Sequence, residues 1–308
     1  MNFRYKCFVQ TILGFLPCSE KLNYLAQRYV TKNLPPSKAL FELYREEAAT
    51  HHRLIEKYGG RNPKDSTVYE IGCGWHLAMS LLFSALGYSK VIALDITDHV
   101  KIDLINTIIG YMKQDGLLPQ EARLLDRKCD IEKVLRDDYR IDLLVPCDSA
   151  RTPLPDDSID AIYSHNVLEH VPPNLLPGML QECHRVIKND GVISFHIDYG
   201  DHYCSIDRTI TIYNFLRYGE AEWKKFNPRL HYMNRLRHVD FLRFFEQAGF
   251  DVVDAITYRP PDWQAEMSTV PFPEEFTSKY TMEELSITSA NVVLKATKTP
   301  AIRDTMAG

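Results

Sequence analysis

From Thr67 onward the sequence alternates short apolar runs with amphipathic stretches, and this alternation constrains the fold more than any other feature. Short runs rich in Val, Ile and Leu predict buried strands, whereas apolar residues three and four positions apart predict helices. Strands that alternate with helices form a parallel sheet covered by helices on both faces. The predicted strands lie near 67–71, 90–94, 141–145, 159–163 and 191–197, with helices near 76–86, 99–113 and 174–187.

The C-terminal part of the sequence completes this sheet. A helix near 238–248, which ends at Gly249, leads to strands near 250–258 and 287–296. Pro-rich, acidic sequence separates these two strands, so we expect them to pair as an antiparallel edge with a long insertion between them. The predicted fold is therefore α/β: a doubly wound, seven-stranded, mostly parallel sheet with an antiparallel edge strand.

Two attachments flank the predicted sheet. The first sixty residues carry three helical patterns, the last of which begins after Ser37 and ends at Gly59-Gly60. A second segment, rich in aromatic and basic residues, predicts a cap over the open end of the sheet. We predict four units: an N-terminal helical lid (1–60), a cofactor-binding core (61–204), an acceptor cap (205–237) and a C-terminal completion of the sheet (238–308).

Composition narrows the class of protein. The 308 residues are 45% hydrophobic and carry a formal net charge of −5, which disfavours a protein that wraps nucleic acid. Seven cysteines without a Cys-x-x-Cys pair suggest neither a disulfide framework nor a structural zinc site, so a cytoplasmic location is expected. Residues 1–16 predict an amphipathic helix rather than a signal peptide, and we expect no stable membrane insertion.

A glycine turn at residues 68–75 predicts a ligand site. Gly72 and Gly74 follow a strand and precede a helix, which lets the backbone pass close beneath a ligand. Twenty-one residues after Gly74 comes Asp95, at the end of the next predicted strand, where an acidic side chain can accept both hydroxyls of a ribose. These features alone fit either a dinucleotide or an adenosyl cofactor.

Two further residues separate these alternatives. A dinucleotide oxidoreductase needs a small residue where this sequence has Leu77, and it does not need an acid at position 70. Glu70 instead suits a cofactor that carries an ammonium group and a sulfonium. The residues therefore favour S-adenosylmethionine.

Several motifs in order resemble the class I, Rossmann-like S-adenosylmethionine-dependent methyltransferases, in particular the small-molecule (type 11-like) family. The resemblance covers roughly residues 65–200, and it departs from the family at Trp75-His76, where a small residue is common. The segments that carry it are Glu70–Gly74, Asp95, Cys147–Ala150, Leu154–Asp156, Ser158–His170 and Arg185–Gly191.

The resemblance implies S-adenosylmethionine as cofactor and assigns residues to it. Glu70 would steer the methionine amino group, and Asp95 would hold the ribose. Asp148 would meet the adenine amine, although it could also act only as a loop cap. The full set of predicted cofactor residues is Glu70, Gly72, Cys73, Gly74, Asp95, Ile96, Asp148, Ser149, Ala150 and His165.

The predicted acceptor is an oxygen or nitrogen of a small molecule. Six aromatic, seven basic and three acidic residues in the cap suit an anionic, sugar-like or secondary-metabolite acceptor. Alternatively, the aromatic residues are core and the charges are solvated. At neutral pH His202 can take a proton from a hydroxyl acceptor, with Asp198 fixing its tautomer, and His165 is the rival base.

No metal is predicted, because the histidines form no close ligand pattern beyond His51-His52, adjacent residues that point in different directions on a helix. Two other functions fit part of the sequence. One is a non-catalytic, cofactor-binding partner subunit. The other is an RNA methyltransferase, which would need a basic groove and an Asn-Pro-Pro-Tyr-like or cysteine nucleophile motif; Ser164–Val167 stands at that position instead.

Overall fold

The computed structural model describes residues 2–15, 19–30, 34–126 and 130–298, and its centre is a seven-stranded sheet. The strand order is β3-β2-β1-β4-β5-β7-β6. The end of the last predicted unit, residues 299–308, lies outside the described residues. The strands are β1 (Thr67–Ile71), β2 (Lys90–Leu94), β3 (Ile141–Leu144), β4 (Ile159–His165), β5 (Ile187–Asp198), β6 (Phe250–Tyr258) and β7 (Ser289–Ala296).

The strand directions confirm the predicted fold class. Strands β1 to β5 pair in parallel, whereas β7 runs antiparallel to β5 on one side and to β6 on the other. The antiparallel strand therefore lies one place inside the edge, which β6 occupies. The predicted pairing of the two C-terminal strands is confirmed.

Helices cover both faces of the sheet, and alternating side chains of each strand meet them. On one face Val68 packs with α3 (Lys38–Gly59), α4 (Ala78–Ala85), α5 (Ile102–Gln114) and α6 (Ile131–Tyr139). On the other face Tyr69 and Ile71 pack with α7 (Leu176–Val186) and α9 (His238–Gln247). Helix α6 is absent from the sequence prediction. It begins after Asp130, whose side chain accepts a hydrogen bond from the backbone N–H of Lys133.

The long N-terminal helix α3 (Lys38–Gly59) has the predicted ends. The Ser37 side chain accepts a hydrogen bond from the backbone N–H of Leu40, and Gly60 has a left-handed backbone with φ of 66°. This helix contacts β5 and α4, so it belongs to the body of the sheet domain. Helix α1 (Phe3–Phe15) instead packs on residues of the cap, followed by α2 (Ser19–Leu25) and a π-helical turn (Ala26–Val30).

A separate aromatic cluster joins α1, the cap and the insertion between β6 and β7. Phe3 lies 5.7 Å from Tyr203 and 5.6 Å from Phe226, measured between ring centroids. Trp223 is only 2% exposed, and Phe276 of the insertion packs in the same cluster. The short helices of this part are α8 (Glu220–Trp223), α10 (Trp263–Ser268), α11 (Glu274–Thr277) and α12 (Met282–Ser286).

Among the residues that the structure describes, none of the helices has the length and apolar character needed to cross a bilayer.

Candidate functional site

The glycine turn after β1 leaves room for a ligand. Gly72 and Gly74 have φ angles of 83° and 64°, in the left-handed region that favours glycine. A Cβ on Gly72 would lie 2.4 Å from a methyl carbon of Val167, whereas one on Gly74 would meet nothing within 4 Å. Gly72 is therefore required by packing as well as by conformation, and Gly74 faces open space.

Asp95 ties the end of β2 to this turn. One carboxylate oxygen accepts a hydrogen bond from the backbone N–H of Gly74 at 3.1 Å, and the other accepts from the N–H of Thr97 at 3.1 Å. Next to it, Ile96 is 67% exposed, which is unusual for a large aliphatic side chain. Asp95 thus supports the glycine turn, and Ile96 offers an apolar surface beside it.

A first cavity of about 330 Å³ opens at the carboxyl ends of β1 and β2. Ligands of open α/β sheets bind at these strand ends. Asp148 accepts a hydrogen bond from the Ala150 backbone N–H at 2.9 Å, so it does cap its own loop while it lines the cavity. The first cavity brings together six of the predicted cofactor residues: Gly72, Asp95, Ile96, Asp148, Ser149 and Ala150.

A second cavity of about 460 Å³ lies on the other side of the turn. It shares Gly72 and Asn166 with the first cavity, so the two meet at these residues. Helix α3 covers it with Leu40, Leu43 and Tyr44. The second cavity contains the other predicted cofactor residues, Glu70, Cys73, Gly74 and His165, and it adds Glu47, His76, Met79 and His196.

Glu70 is a buried carboxylate on the wall of the second cavity. It is 4% exposed and accepts a hydrogen bond from the Ser80 hydroxyl. Burial raises its pKa to about 7, and the Ser80 hydrogen bond opposes that rise. Among the described residues that line this cavity, none is a lysine or arginine. A cavity with a buried acid and no basic partner fits a positively charged ligand, which agrees with the ammonium and sulfonium groups of S-adenosylmethionine.

Two histidines meet on the wall of the second cavity. His165 and His196 are register partners on β4 and β5, with ring centroids 4.8 Å apart and nearly parallel planes. Glu47 of α3 approaches them, with a carboxylate oxygen 3.8 Å from Nδ1 of His165. Burial lowers the pKa of His165 to about 3, so this histidine is neutral at physiological pH and a weak base.

The prediction that the histidines form no close ligand pattern beyond His51-His52 was wrong. Glu47, His165 and His196 bring one oxygen and two nitrogens within 4.8 Å of one another, and Glu169, His170 and His202 do the same. The three residues of the first group lie on separate elements, α3, β4 and β5, so sequence spacing alone does not reveal this group. A histidine at the end of each of two neighbouring strands is the signal that could have indicated it.

Asp198 and His202 form the predicted pair. The distance from Nε2 of His202 to a carboxylate oxygen of Asp198 is 3.3 Å, and the other oxygen accepts from the Gly200 N–H at 2.7 Å. Burial raises the pKa of Asp198, but the hydrogen bond and charge of His202 outweigh it, and the net pKa is lowered. His202 lines neither cavity; its ring lies 5.1 Å from that of His170, which lines the first.

The cap arginines near the site are structural. Arg237 is fully buried and donates to the backbone carbonyls of Tyr199 and Leu285 at 2.8 and 3.1 Å. Arg235 donates to the carbonyl of Phe215 and pairs with Glu220. Of the two interpretations of the cap, the structure supports the packing role for these arginines and for the buried aromatic residues. Neither arginine is free to bind an anionic acceptor.

Part of the chain matches a known protein family, and its fold resembles solved structures. Residues 111–195 match the family model described as "Methyltransferase domain", while no curated protein matches the sequence. The PH0226 protein from Pyrococcus horikoshii OT3 is 13% identical, with 89% of this chain and 98% of that chain covered and a TM-score of 0.50. Geranyl diphosphate C-methyltransferase from Streptomyces coelicolor A3(2) is 15% identical, with 83% and 81% covered and a TM-score of 0.46.

The family match ends within β5, so it includes β3, β4 and α7, the loop that carries Asp148, and His165 at the end of β4. Residues 111–195 therefore form part of a methyltransferase domain, which lies on a sheet of seven mostly parallel strands.

Proposed function

We propose that the protein transfers a methyl group from S-adenosylmethionine to an oxygen or nitrogen of a small molecule. The observation that carries this proposal is the junction of the two cavities at Gly72 and Asn166. Residues expected to hold the adenosine part line the first cavity, and Glu70 and Gly74 line the second. When bound, S-adenosylmethionine supplies an electrophilic methyl group on a positively charged sulfur.

The protein's own contribution is chiefly to position the acceptor and to exclude water. Leu40, Leu43 and Tyr44 of α3 line one side of the second cavity. The volume of about 460 Å³ lies in the range of small-molecule sites. Glu47 and the two neighbouring histidines offer polar groups that can bind hydroxyl or amine substituents of an acceptor, as a sugar-like molecule carries.

Charge distinguishes the possible acceptors. In the part of the chain that the structure describes, the wall of the second cavity has two carboxylates, Glu47 and Glu70, and no lysine or arginine. An anionic acceptor would therefore meet repulsion there, and an RNA backbone would lack the basic contacts it needs. We accordingly favour a neutral or amine-bearing small molecule over the anionic acceptor that the cap composition suggests.

The test uses S-adenosylmethionine with a radiolabelled methyl group. The purified protein is incubated with small-molecule extracts and, separately, with total RNA, and Asp95→Ala and Asp98→Ala variants serve as the inactive and the matched control enzymes. We expect label in the small-molecule fraction with wild type and Asp98→Ala, and little with Asp95→Ala. Label only in RNA would contradict the proposed acceptor, and cofactor binding without any transfer would favour the non-catalytic partner subunit.

A further inference from the structure

The Glu47, His165 and His196 side chains form a ligand set on the wall of the second cavity. One carboxylate oxygen and two imidazole nitrogens come from three different elements, α3, β4 and β5, and lie within 4.8 Å of one another. We propose that these three side chains bind one divalent transition-metal ion. The further role of the ion, to hold the acceptor's oxygen or nitrogen, rests on the proposed function.

The orientation of His196 favours metal binding. Its Nδ1 lies 2.8 Å from Oδ1 of Asn291, and the amide nitrogen of Asn291 donates to the Tyr258 hydroxyl at 3.2 Å. Because the amide oxygen faces the ring, Nδ1 of His196 carries the hydrogen and donates it. The lone pair is then on Nε2. Metal-binding histidines are typically held in this way, by a hydrogen bond from the ring nitrogen that does not bind the ion.

The unpaired ring nitrogen of His165 is a second, independent observation that favours a bound ion. Its Nδ1 is buried and has no hydrogen-bond partner among the described residues, with the Glu47 carboxylate 3.8 Å away. Buried polar atoms are nearly always paired in folded proteins. A cation between Nδ1 and the carboxylate would satisfy both groups. The ring of His51 lies 5.7 Å from that of His165 and closes this side of the cluster.

The donor atoms indicate which ions fit. Two imidazole nitrogens and one carboxylate suit Zn²⁺, Fe²⁺, Co²⁺ or Ni²⁺, and also Mn²⁺, better than Mg²⁺ or Ca²⁺, which prefer oxygen ligands only. Three protein ligands leave coordination positions open, as in catalytic metal sites. Since the three side chains line the second cavity, these positions face the space proposed for the acceptor.

The second histidine cluster lies outside the second cavity, since none of Glu169, His170 and His202 lines it. Nδ1 of His170 lies 2.6 Å from the Tyr232 carbonyl, and Nε2 of His202 lies 3.3 Å from the Asp198 carboxylate. Glu169 is 3% exposed. An ion bound there would not face the space proposed for the acceptor. This cluster serves as the competing site in the experiment.

The experiment measures metal binding directly, with untagged, metal-free protein. Co²⁺ is titrated and followed by its visible absorption, and Zn²⁺ binding is measured by calorimetry. Wild type is compared with Glu47→Gln and His196→Gln; Glu46→Gln, an exposed glutamate adjacent on α3, is the matched control, and His202→Gln tests the competing cluster. Melting curves and the affinity for S-adenosylhomocysteine report whether each variant is folded.

We expect one ion per chain in wild type, Glu46→Gln and His202→Gln. Glu47→Gln and His196→Gln should bind at least about 10-fold more weakly, and Asn291→Ala, which removes the partner that orients His196, roughly 10- to 100-fold more weakly. No stoichiometric binding by wild type, or binding that only His202→Gln impairs, would overturn the proposal. Methyl transfer by metal-free protein at the full rate would overturn the acceptor role of the ion alone and leave the proposed function standing.

Discussion

At the scale of single residues, Glu70 has the clearest dependence on pH. Its folded-state pKa is about 7, above the ordinary 4.5, so the acid is stable when protonated and costs folding free energy once it ionises. In the ligand-free protein the penalty is absent below about pH 4.5, grows between pH 4.5 and 7, where the unfolded chain ionises first, and is constant at higher pH. At high pH its upper limit is on the order of 3 kcal/mol.

Replacing Glu70 with glutamine should remove this penalty. We expect Glu70→Gln to raise the melting temperature of ligand-free protein at pH 8, with a smaller difference from wild type at pH 5. The same variant should bind S-adenosylmethionine more weakly, because the buried negative charge opposite the cofactor is lost. Melting curves at the two pH values and calorimetry measure both effects, with Glu46→Gln as control. A difference in melting temperature that is the same at both pH values would contradict the raised pKa of Glu70.

Asp95 is predicted to bind the ribose hydroxyls. We expect Asp95→Ala to weaken binding of S-adenosylhomocysteine by about 1.5–3 kcal/mol, the cost typical of hydrogen bonds to a charged group. Because Asp95 also accepts from the Gly74 backbone, the glycine turn should loosen in the same variant. Calorimetry provides the affinity, and exposed Asp98→Ala is the control. Equal affinities for the two variants would show that the ribose lies elsewhere.

The sequence predicts His202, oriented by Asp198, as the general base, although His202 lines neither cavity and the acceptor is proposed for the second one. A base role for His202 predicts that His202→Ala reduces turnover by roughly 10²–10⁴-fold, with nearly unchanged cofactor affinity and without the acidic limb of the pH–rate profile. His184→Ala, which alters a histidine packed against Phe250, is the control for loss of an imidazole. Near-normal turnover in His202→Ala would leave catalysis to positioning alone or to a base on the wall of the second cavity.

At the scale of elements, α2 and α3 differ from the cap in how they can respond to ligand. Tyr24 of α2 contacts Trp75 of the glycine turn at 5.3 Å between ring centroids, and Arg28 pairs with Asp103 of α5. The first turns of α3 cover the second cavity. In contrast, four cap aromatics are buried in their own cluster and Phe226 packs against it; the four are Tyr213, Phe215, Tyr218 and Trp223.

We therefore expect binding of S-adenosylhomocysteine to slow amide hydrogen exchange most in residues 19–30 and 38–47 and around the glycine turn. Residues 205–237 should change less, since their aromatic side chains pack in the absence of ligand. Hydrogen exchange followed by mass spectrometry compares the two states. Protection that rises chiefly in residues 205–237 would contradict this expectation. It would indicate instead that the cap closes over the ligand.

Strand positions were predictable from sequence because buried strands are short, β-branched and bounded by turns. Strand β1 was predicted with its exact limits, as was the end of α3 at Gly59-Gly60. Helix α6 was missed although Ile131, Val134, Leu135 and Tyr139 have helical spacing and follow Asp130, a typical N-cap residue. The extension of β5 back to Ile187 was missed as well, because Asn189, Asp190 and Gly191 are typical turn residues. In the structure they lie at a register shift in the pairing of β5 with β4.

At the scale of the whole molecule, the sheet domain carries the predicted cofactor residues and the attachments carry their own core. The predicted lid of residues 1–60 divides between them, with α1 on the cap and α3 on the sheet. Such long-range packing leaves no local sequence signal. The sequence likewise does not show the partners of Arg237. It suggests a side chain that binds an anionic ligand, whereas in the fold the guanidinium donates to backbone carbonyls.

The sequence predicts about as much of the candidate site as it does of the fold. Motifs with fixed spacing identify the residues of the first cavity, because the glycine turn and the two acids after β2 and β3 are local features. The histidine cluster arises from register between strands and from contact with α3, which the sequence alone does not contain.

The central claim is that one S-adenosylmethionine molecule binds across the two cavities. Calorimetric titration of wild-type protein with S-adenosylhomocysteine, the demethylated product, tests it most directly. We predict one binding site per chain, with a matching rise in melting temperature at saturating ligand. Absence of binding heat and of any thermal shift in a folded protein would contradict the account.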